Sequence, residues 1–237
     1  MISSMLRAIL FDFNGVLVDD EPLHFELFGK VLADEGIELS KEDYYEHYLG
    51  FDDRGAFEAI FGRLGRSLDI GHLMRLITRK SAYYQRVIHE KGYPFFPGAV
   101  DLVRDCAAAD LMLGVVSGAL REEVEGALRQ ESLLAHFKVL VTADEVQRSK
   151  PDPEGYQLGL EGLNSRPPLP GRLIHPHEAL AIEDSPAGIE AAATLGMTTL
   201  AVAQTYGAGQ LSGADVVVGS VAELNAERLC ELYDCLG

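Results

Sequence analysis

Cysteine is scarce in this sequence. Cys106, Cys230 and Cys235 are the three in 237 residues, too few and too widely spaced for a metal knuckle or a disulfide framework. A reducing compartment is therefore expected. No apolar run reaches the ~18 residues of a membrane span. The opening Met1-Ile-Ser-Ser-Met lacks the basic start and long apolar stretch of a signal peptide. A soluble, cytoplasmic protein is the expectation. Positive charge is also short: 20 Lys and Arg face 37 Asp and Glu, a net charge of −17. Such a field repels nucleic acid and anionic membrane, which excludes both as partners, and an anionic substrate must be drawn in locally by a metal or a few cations. There is no internal repeat and no low-complexity segment. What is present is 47% hydrophobic residues, which excludes a disordered chain. The length fits one large domain or a domain with a smaller one inserted.

The apolar run Ala8-Ile9-Leu10-Phe11 leads straight into Asp12, the pattern of a buried strand, expected over 7–12, presenting an acid at its tip. Asn14-Gly15 suits a tight turn, so Val16 to Val18 can fold back as a small flap; a plain hairpin is the alternative. Asp19 to about Gly36 reads as a helix, with Leu23, Leu27, Phe28, Val31 and Leu32 at helical spacing and Pro22 in its first turn. Further helical patterns cover 41–48, 53–64 and 70–90, and nothing between 19 and 92 alternates like a strand. Residues 17–93 are therefore expected to form a small all-helical unit, closed by the stiff connector Tyr93-Pro94-Phe95-Phe96-Pro97-Gly98.

From there strand and helix patterns alternate. Strands are expected at 112–117, 138–142, 179–183, 198–203 and 215–218, with helices at 98–109, 120–130, 153–162, 187–195 and 221–236. Alternation of this kind predicts an α/β fold, a parallel sheet covered on both faces. Ligands bind such sheets at the carboxyl ends of the strands.

Polar groups recur at those ends. Val115-Val116-Ser117-Gly118-Ala119 places a hydroxyl and two small residues after a strand, where Ser117 and the following N–H groups can hold phosphate oxygens or Ser117 can simply cap a helix. In Ser149-Lys150-Pro151-Asp152-Pro153 two prolines stiffen the turn carrying Lys150, which is either aimed at a site or solvated. Ile182-Glu183-Asp184-Ser185-Pro186-Ala187-Gly188 places two adjacent acids at a strand end, an arrangement tolerated where a hard divalent cation sits, or else a helix cap.

These four motifs, in this order and spanning nearly the whole chain, resemble the haloacid dehalogenase superfamily of phosphohydrolases and mutases. The resemblance is to the β-phosphoglucomutase and phosphoglycolate phosphatase branch. It implies a Rossmann-like core, residues 1–16 and 94–237, with a helical cap, 17–93, inserted after the first strand. It further implies Asp12 as the nucleophile that becomes an aspartyl phosphate, and Ser117, Gly118, Ala119 and Lys150 as the phosphoryl-binding groups. Asp12, the backbone carbonyl of Asn14, Glu183 and Asp184 would hold Mg²⁺. On the cap, His24 and Lys80 match substrate-facing residues, while Arg54 lies one place from the expected arginine. A small phosphorylated metabolite of the sugar phosphate or phosphoglycolate type is the implied partner, and a monomer or weak homodimer the implied assembly.

One position departs from the pattern. The family usually carries a second Asp two residues after the nucleophile, as general acid and base, where this chain has Asn14. An amide cannot give and recover a proton at neutral pH, so a slow phosphatase is expected. A phosphomutase on the same site and a catalytically degenerate, ligand-binding member are the alternatives. Dehalogenation of a haloacid needs no metal, and the Glu183-Asp184 pair argues against it.

Overall fold

A computed structural model describes residues 5–236; the first four residues, read above for a targeting signal, lie outside them. The described chain divides into two units, one made of the residues up to Asp19 together with those from Tyr93 onward, the other of Asp20–Gly92. The second unit holds helices α1 (Glu21–Ala33), α2 (Lys41–His47), α3 (Asp53–Arg63) and α4 (Ile70–Lys91). The first holds α5 (Ala99–Ala108), α6 (Arg121–Gln130), α7 (Glu154–Ser165), α8 (Pro186–Thr194) and α9 (Ala226–Asp234). It also contains strands β1 (Ala8–Phe11), β2 (Met112–Val116), β3 (Phe137–Val141), β4 (Ala179–Glu183), β5 (Thr198–Val202) and β6 (Val216–Val218).

The strands form a six-stranded, wholly parallel sheet in the order β3-β2-β1-β4-β5-β6. Burial on both faces explains why the strands read as unbroken apolar runs rather than alternating ones. The side chains of β1 still alternate: Ile9 and Phe11 pack with Leu102, Val103, Val124 and Leu229 of α5, α6 and α9. Ala8 and Leu10 pack on the other face with Tyr156, Leu160, Ala191 and Ala192 of α7 and α8. From β1 the chain builds outward on one side and then on the other, so the switch point lies between β1 and β4.

The helical unit has its own core, in which Phe28, Leu32, Tyr44, Phe57, Phe61, Leu73 and Leu76 are buried together. Side chains of Ser40, Asp52 and Asp69 accept backbone N–H groups at the starts of α2, α3 and α4. The expected cap boundary at 16/17 sits three residues before the unit boundary after Asp19, because Leu17 and Val18 are fully buried in the first unit.

One local alternative is decided and one expectation corrected. Gly15 takes a positive φ of 80° while Asn14 does not, and the turn closes through Gly15 N–H to Val18 O and Val18 N–H to Phe13 O. The turn is thus a flap and no hairpin on β1: Val18 bridges to Asn14 in the parallel sense and to Phe95 in the antiparallel sense. The expected helix over 221–236 begins only at Ala226, because Asn225 caps it by accepting the Arg228 N–H and a 3-10 turn fills 221–223.

Glu178 ties the start of the sheet to the Pro-rich loop before β4. Its carboxylate accepts from Arg172, from Arg7 at 3.4 Å and from the His175 N–H at 3.1 Å. The Arg172 hydrogen bonds, outweighing burial, hold its carboxyl down to about 2. The charged form is therefore the stabilising one, fully present above the ordinary value of 4.5 and lost as pH falls toward about 2. Glu178→Gln should cost about 1 to 2 kcal/mol at neutral pH, and in urea melts this penalty should shrink as pH is lowered through that window. A pH-independent penalty would count against the carboxylate's role.

Candidate active site

The β1–β4 register sets the site. Phe11 pairs with Ile182, and Asp12 N–H continues the ladder to Ile182 O at 2.9 Å, so Asp12 and Glu183 leave adjacent strands side by side. Asp184 follows at once. Ligand oxygens of Asp12, Glu183 and Asp184 lie within 4.8 Å of one another, and all three residues are buried. Into this group reaches Lys150 from the β3–α7 loop, through a stiff Lys150-Pro151-Asp152-Pro153 turn. Its Nζ donates to Asp12 Oδ1 and Glu183 Oε1, each at 2.6 Å, and to Val116 O at 3.0 Å.

The electrostatics follow from burial. Desolvation pushes the Asp12 carboxyl up to about 7, with Lys150 opposing and Glu183 adding repulsion. Desolvation likewise raises Asp184 well above the usual carboxylate value, reinforced by Asp12 and Glu183. Burial works against the charge of Lys150, but Asp12 and Glu183 hold its pKa above the ordinary lysine value. Three carboxylates thus face one ammonium. The donors are all hard oxygens and the unbalanced charge is negative, so the group fits a hard divalent cation.

Glu183 is the anchor of the cluster. Oε1 accepts from Lys150 and from the phenol of Tyr156 at 2.5 Å, and Oε2 from Ser185 Oγ at 3.2 Å and Asp184 N–H at 3.3 Å. Every lone-pair position is met. Coordination of a cation by Glu183 therefore exchanges one of these bonds, whereas Asp12 and Asp184 are less encumbered. Asp184 accepts from the Thr205 hydroxyl.

Ser117 follows β2, buried, its Oγ accepting the Ala119 N–H at 2.9 Å. The hydroxyl stands in that turn, one residue from the Val116 carbonyl that Lys150 binds. Asn14 is half-buried in the turn after Asp12. His24, Arg54 and Lys80 belong to the helical unit. Lys80 is 1% exposed, its ammonium 2.5 Å from Asp53 Oδ1, 2.7 Å from His24 Nδ1 and 4.2 Å from the centre of the Phe28 ring. A lysine only donates, so Nδ1 accepts, and the proton on Nε2 points to Asp20 Oδ2 at 3.3 Å. Arg54 is exposed and pairs with Glu58 at 3.6 Å.

A family model described as haloacid dehalogenase-like hydrolase matches residues 9–202. The chain belongs to that family. It is 30% identical over 221 residues to validoxylamine A 7′-phosphate phosphatase of Streptomyces hygroscopicus subsp. limoneus, covering 93% of this chain and 96% of that one. It is 28% identical to phosphorylated carbohydrates phosphatase of Thermotoga maritima, covering 81% and 82%. In fold it is similar to β-phosphoglucomutase of Clostridium difficile, with a TM-score of 0.79 at 24% identity over 97% of each chain. Asp12, Ser117, Lys150 and the Glu183-Asp184 pair all fall within the matched family segment, 9–202.

Sequence reasoning missed Tyr156 and Gly188. Tyr156 sits in the apolar stripe of α7 and reads as core; the signal was a tyrosine where phenylalanine would fill the space, since a buried phenol needs a partner. Gly188 lies in the first turn of α8, and a Cβ there would fall 2.0 Å from the Glu183 carboxylate. Glycine is what lets Glu183 stay under Lys150. Gly188→Ala should destabilise the fold by about 1 to 3 kcal/mol and blunt the rise in melting temperature on adding a divalent cation. An alanine variant with unchanged melting temperature and unchanged cation response would refute this contact.

Proposed function

We propose that this hydrolase is a Mg²⁺-dependent phosphomonoesterase, acting on a small phosphorylated metabolite of the sugar phosphate or phosphoglycolate type through an aspartyl phosphate on Asp12. The observation that carries the reading is the Lys150 ammonium 2.6 Å from both Asp12 and Glu183, where three buried carboxylates meet at the switch point of a parallel sheet. Two relatives named as phosphatases, at 30% and 28% identity over most of the chain, support it.

On this reading Asp12 attacks phosphorus, splitting one difficult displacement into two easier ones. Lys150, already beside the nucleophile, exchanges its bond to Asp12 for the incoming phosphoryl oxygens. Ser117 Oγ and the N–H groups of Gly118 and Ala119 take the remaining oxygens, the Ala119 N–H giving up its bond to Ser117. Phosphoryl transfer is mostly positioning and charge neutralisation, so these donors are the main contribution of the protein. Mg²⁺, held by Asp12, Asp184, Glu183 and the Asn14 carbonyl, would supply the charge that a dianionic phosphate requires. Asn14 has no proton to lend, which slows turnover. Within the helical unit, residues 17–93 in this reading, His24 and Lys80 are assigned to substrate recognition and Arg54 to a peripheral part in it. A cytoplasmic monomer or weak homodimer completes the reading.

Phosphate release from a panel of sugar phosphates and phosphoglycolate should require Mg²⁺ and fall to background in Asp12→Asn. Mg²⁺ at a hundredfold excess over its Kd should add about 2.7 kcal/mol of stability, and Asp184→Ala should erase that gain. Binding of phosphate esters without any release would instead favour a degenerate, ligand-binding member, the role Asn14 favours. A melting temperature indifferent to millimolar Mg²⁺ would overturn the metal assignment.

A further inference from the structure

A leaving alkoxide must acquire a proton; among the described residues of the core unit the ionisable groups around Asp12 are committed, and Ser117, whose Oγ accepts the Ala119 N–H, is a hydroxyl assigned above to a phosphoryl oxygen. An ammonium has three protons, and those of Lys150 go to Asp12, Glu183 and Val116 O. The Tyr156 phenol is buried and spends its proton on Glu183. Asp12, Glu183 and Asp184 form the acidic cluster that attacks or holds a cation. Asn14, next after Phe13 in the turn that follows the nucleophile, carries an amide. The histidine singled out from the sequence, His24, has both ring nitrogens engaged within its own unit, Nδ1 by Lys80 and Nε2 by Asp20.

We infer that, beside the slowly turned-over esters of the proposed reading, the site turns over activated phosphates fastest, acyl phosphates above all, whose leaving group departs as a stable anion without a proton. This rests on the reading of the site as a phosphoryl-transfer centre at Asp12. A carboxylate leaves with a conjugate-acid pKa of about 4, whereas an alkoxide is close to hydroxide, whose conjugate acid is at about 15.7. In the first step an Asp12 oxygen bonds to phosphorus and the bond between phosphorus and the acyl oxygen breaks. The electron pair stays on that oxygen, and a free carboxylate departs. In the second step a water oxygen bonds to phosphorus and the Asp12 oxygen is released as carboxylate. The two water protons end on inorganic phosphate and in bulk solvent. The amide of Asn14 cannot take that proton, so the second step is the slower one and the phosphorylated form of Asp12 accumulates.

Acetyl phosphate and ethyl phosphate are close in size and differ chiefly in leaving group, which makes them the probes. With Mg²⁺ present, kcat/KM for acetyl phosphate should exceed that for ethyl phosphate by at least about a hundredfold, the lower end of what a general acid supplies. Intact-protein mass spectrometry should show the gain of one phosphoryl group during turnover of acetyl phosphate, absent in Asp12→Asn. Asn14→Asp should cut the acetyl-to-ethyl ratio by at least about tenfold and reduce the steady-state level of phosphoenzyme. A phosphoenzyme that forms equally well from both probes, or a ratio unmoved by Asn14→Asp, would overturn the inference while leaving the phosphatase reading intact. Phosphate release that persists in Asp12→Asn, or no phosphoenzyme and no release from either probe in either protein, would overturn both.

Discussion

A buried ammonium placed among three carboxylates is the interaction on which the site depends. Neither sign is stable there alone: removing water from an isolated charge costs several kcal/mol even after the surroundings relax. Lys150 meets that cost with three hydrogen bonds, two of them to carboxylates at 2.6 Å. The carboxylates are only partly compensated, because one positive charge cannot balance three negative ones. Burial drives Asp12 and Asp184 toward their neutral forms for that reason. A cation or a phosphoryl group entering the site thus meets groups whose charge state is set by what arrives, the condition under which ligand binding and chemistry are coupled.

The sheet makes this concentration of charge affordable. Because β1 and β4 are adjacent and parallel, residues following them leave the ladder at the same level, and Asp12 and Glu183 need no long loop to meet. The β3–α7 loop brings Lys150 to them, and Tyr156 in the first turn of α7 donates to Glu183 from the same side of the sheet where α7 packs. Small residues complete the fit. Gly15, with φ at 80°, leaves room for Asp184, since a Cβ would sit 1.9 Å from Asp184 Oδ2. Gln204 then pins that turn by donating to Gly15 O at 2.9 Å while accepting from Ser220 Oγ and the Val221 N–H. The turn that carries Asn14 is therefore held from outside the site as well as from within it.

Much of this was legible in the sequence, for identifiable reasons. Apolar runs ending in Asp12, Ser117 and Glu183 announce strand tips because a polar residue directly after a run buried on both faces needs a use or a partner. The helices of the second unit were legible from 3.6-residue periodicity, while the capping side chains Ser40, Asp52 and Asp69 emerged only with the structure. What stayed hidden depends on three-dimensional proximity. Tyr156 is six residues from Lys150 in the chain but touches Glu183, and nothing in a helical stripe distinguishes that phenol from a core ring. The value of Gly188 lies in an absent Cβ, which no pattern displays. The resemblance marks Lys80 as substrate-facing but does not show its partners, Asp53 and His24, which hold it against Phe28. Its partners are 27 and 56 residues away in sequence, beyond any local rule. The sequence left flap and hairpin both open at Asn14-Gly15, because Asn-Gly is a strong local signal; the parallel bridge of Val18 to Asn14 and its long-range bridge to Phe95 decide for the flap.

Charge also constrains how such a site can be filled on the proposed reading. The chain as a whole carries −17, so its long-range field opposes a phosphate anion and contributes nothing to capture. At close range the ionised cluster sums to −3 from Asp12, Glu183 and Asp184 and +1 from Lys150, or −2. A phosphate dianion entering that count would be repelled at separations where screening by salt is weak, inside a buried site. Adding a divalent cation brings the count to zero, and protonating one or two carboxylates does part of the same work. Neutralisation must therefore accompany or precede the anion. Because Glu183 has its oxygens committed to Lys150, Tyr156, Ser185 and Asp184 N–H, Asp12 and Asp184 would hold a cation at the least cost in existing hydrogen bonds. Lys150 then remains where a phosphoryl oxygen can take over its bond to Asp12.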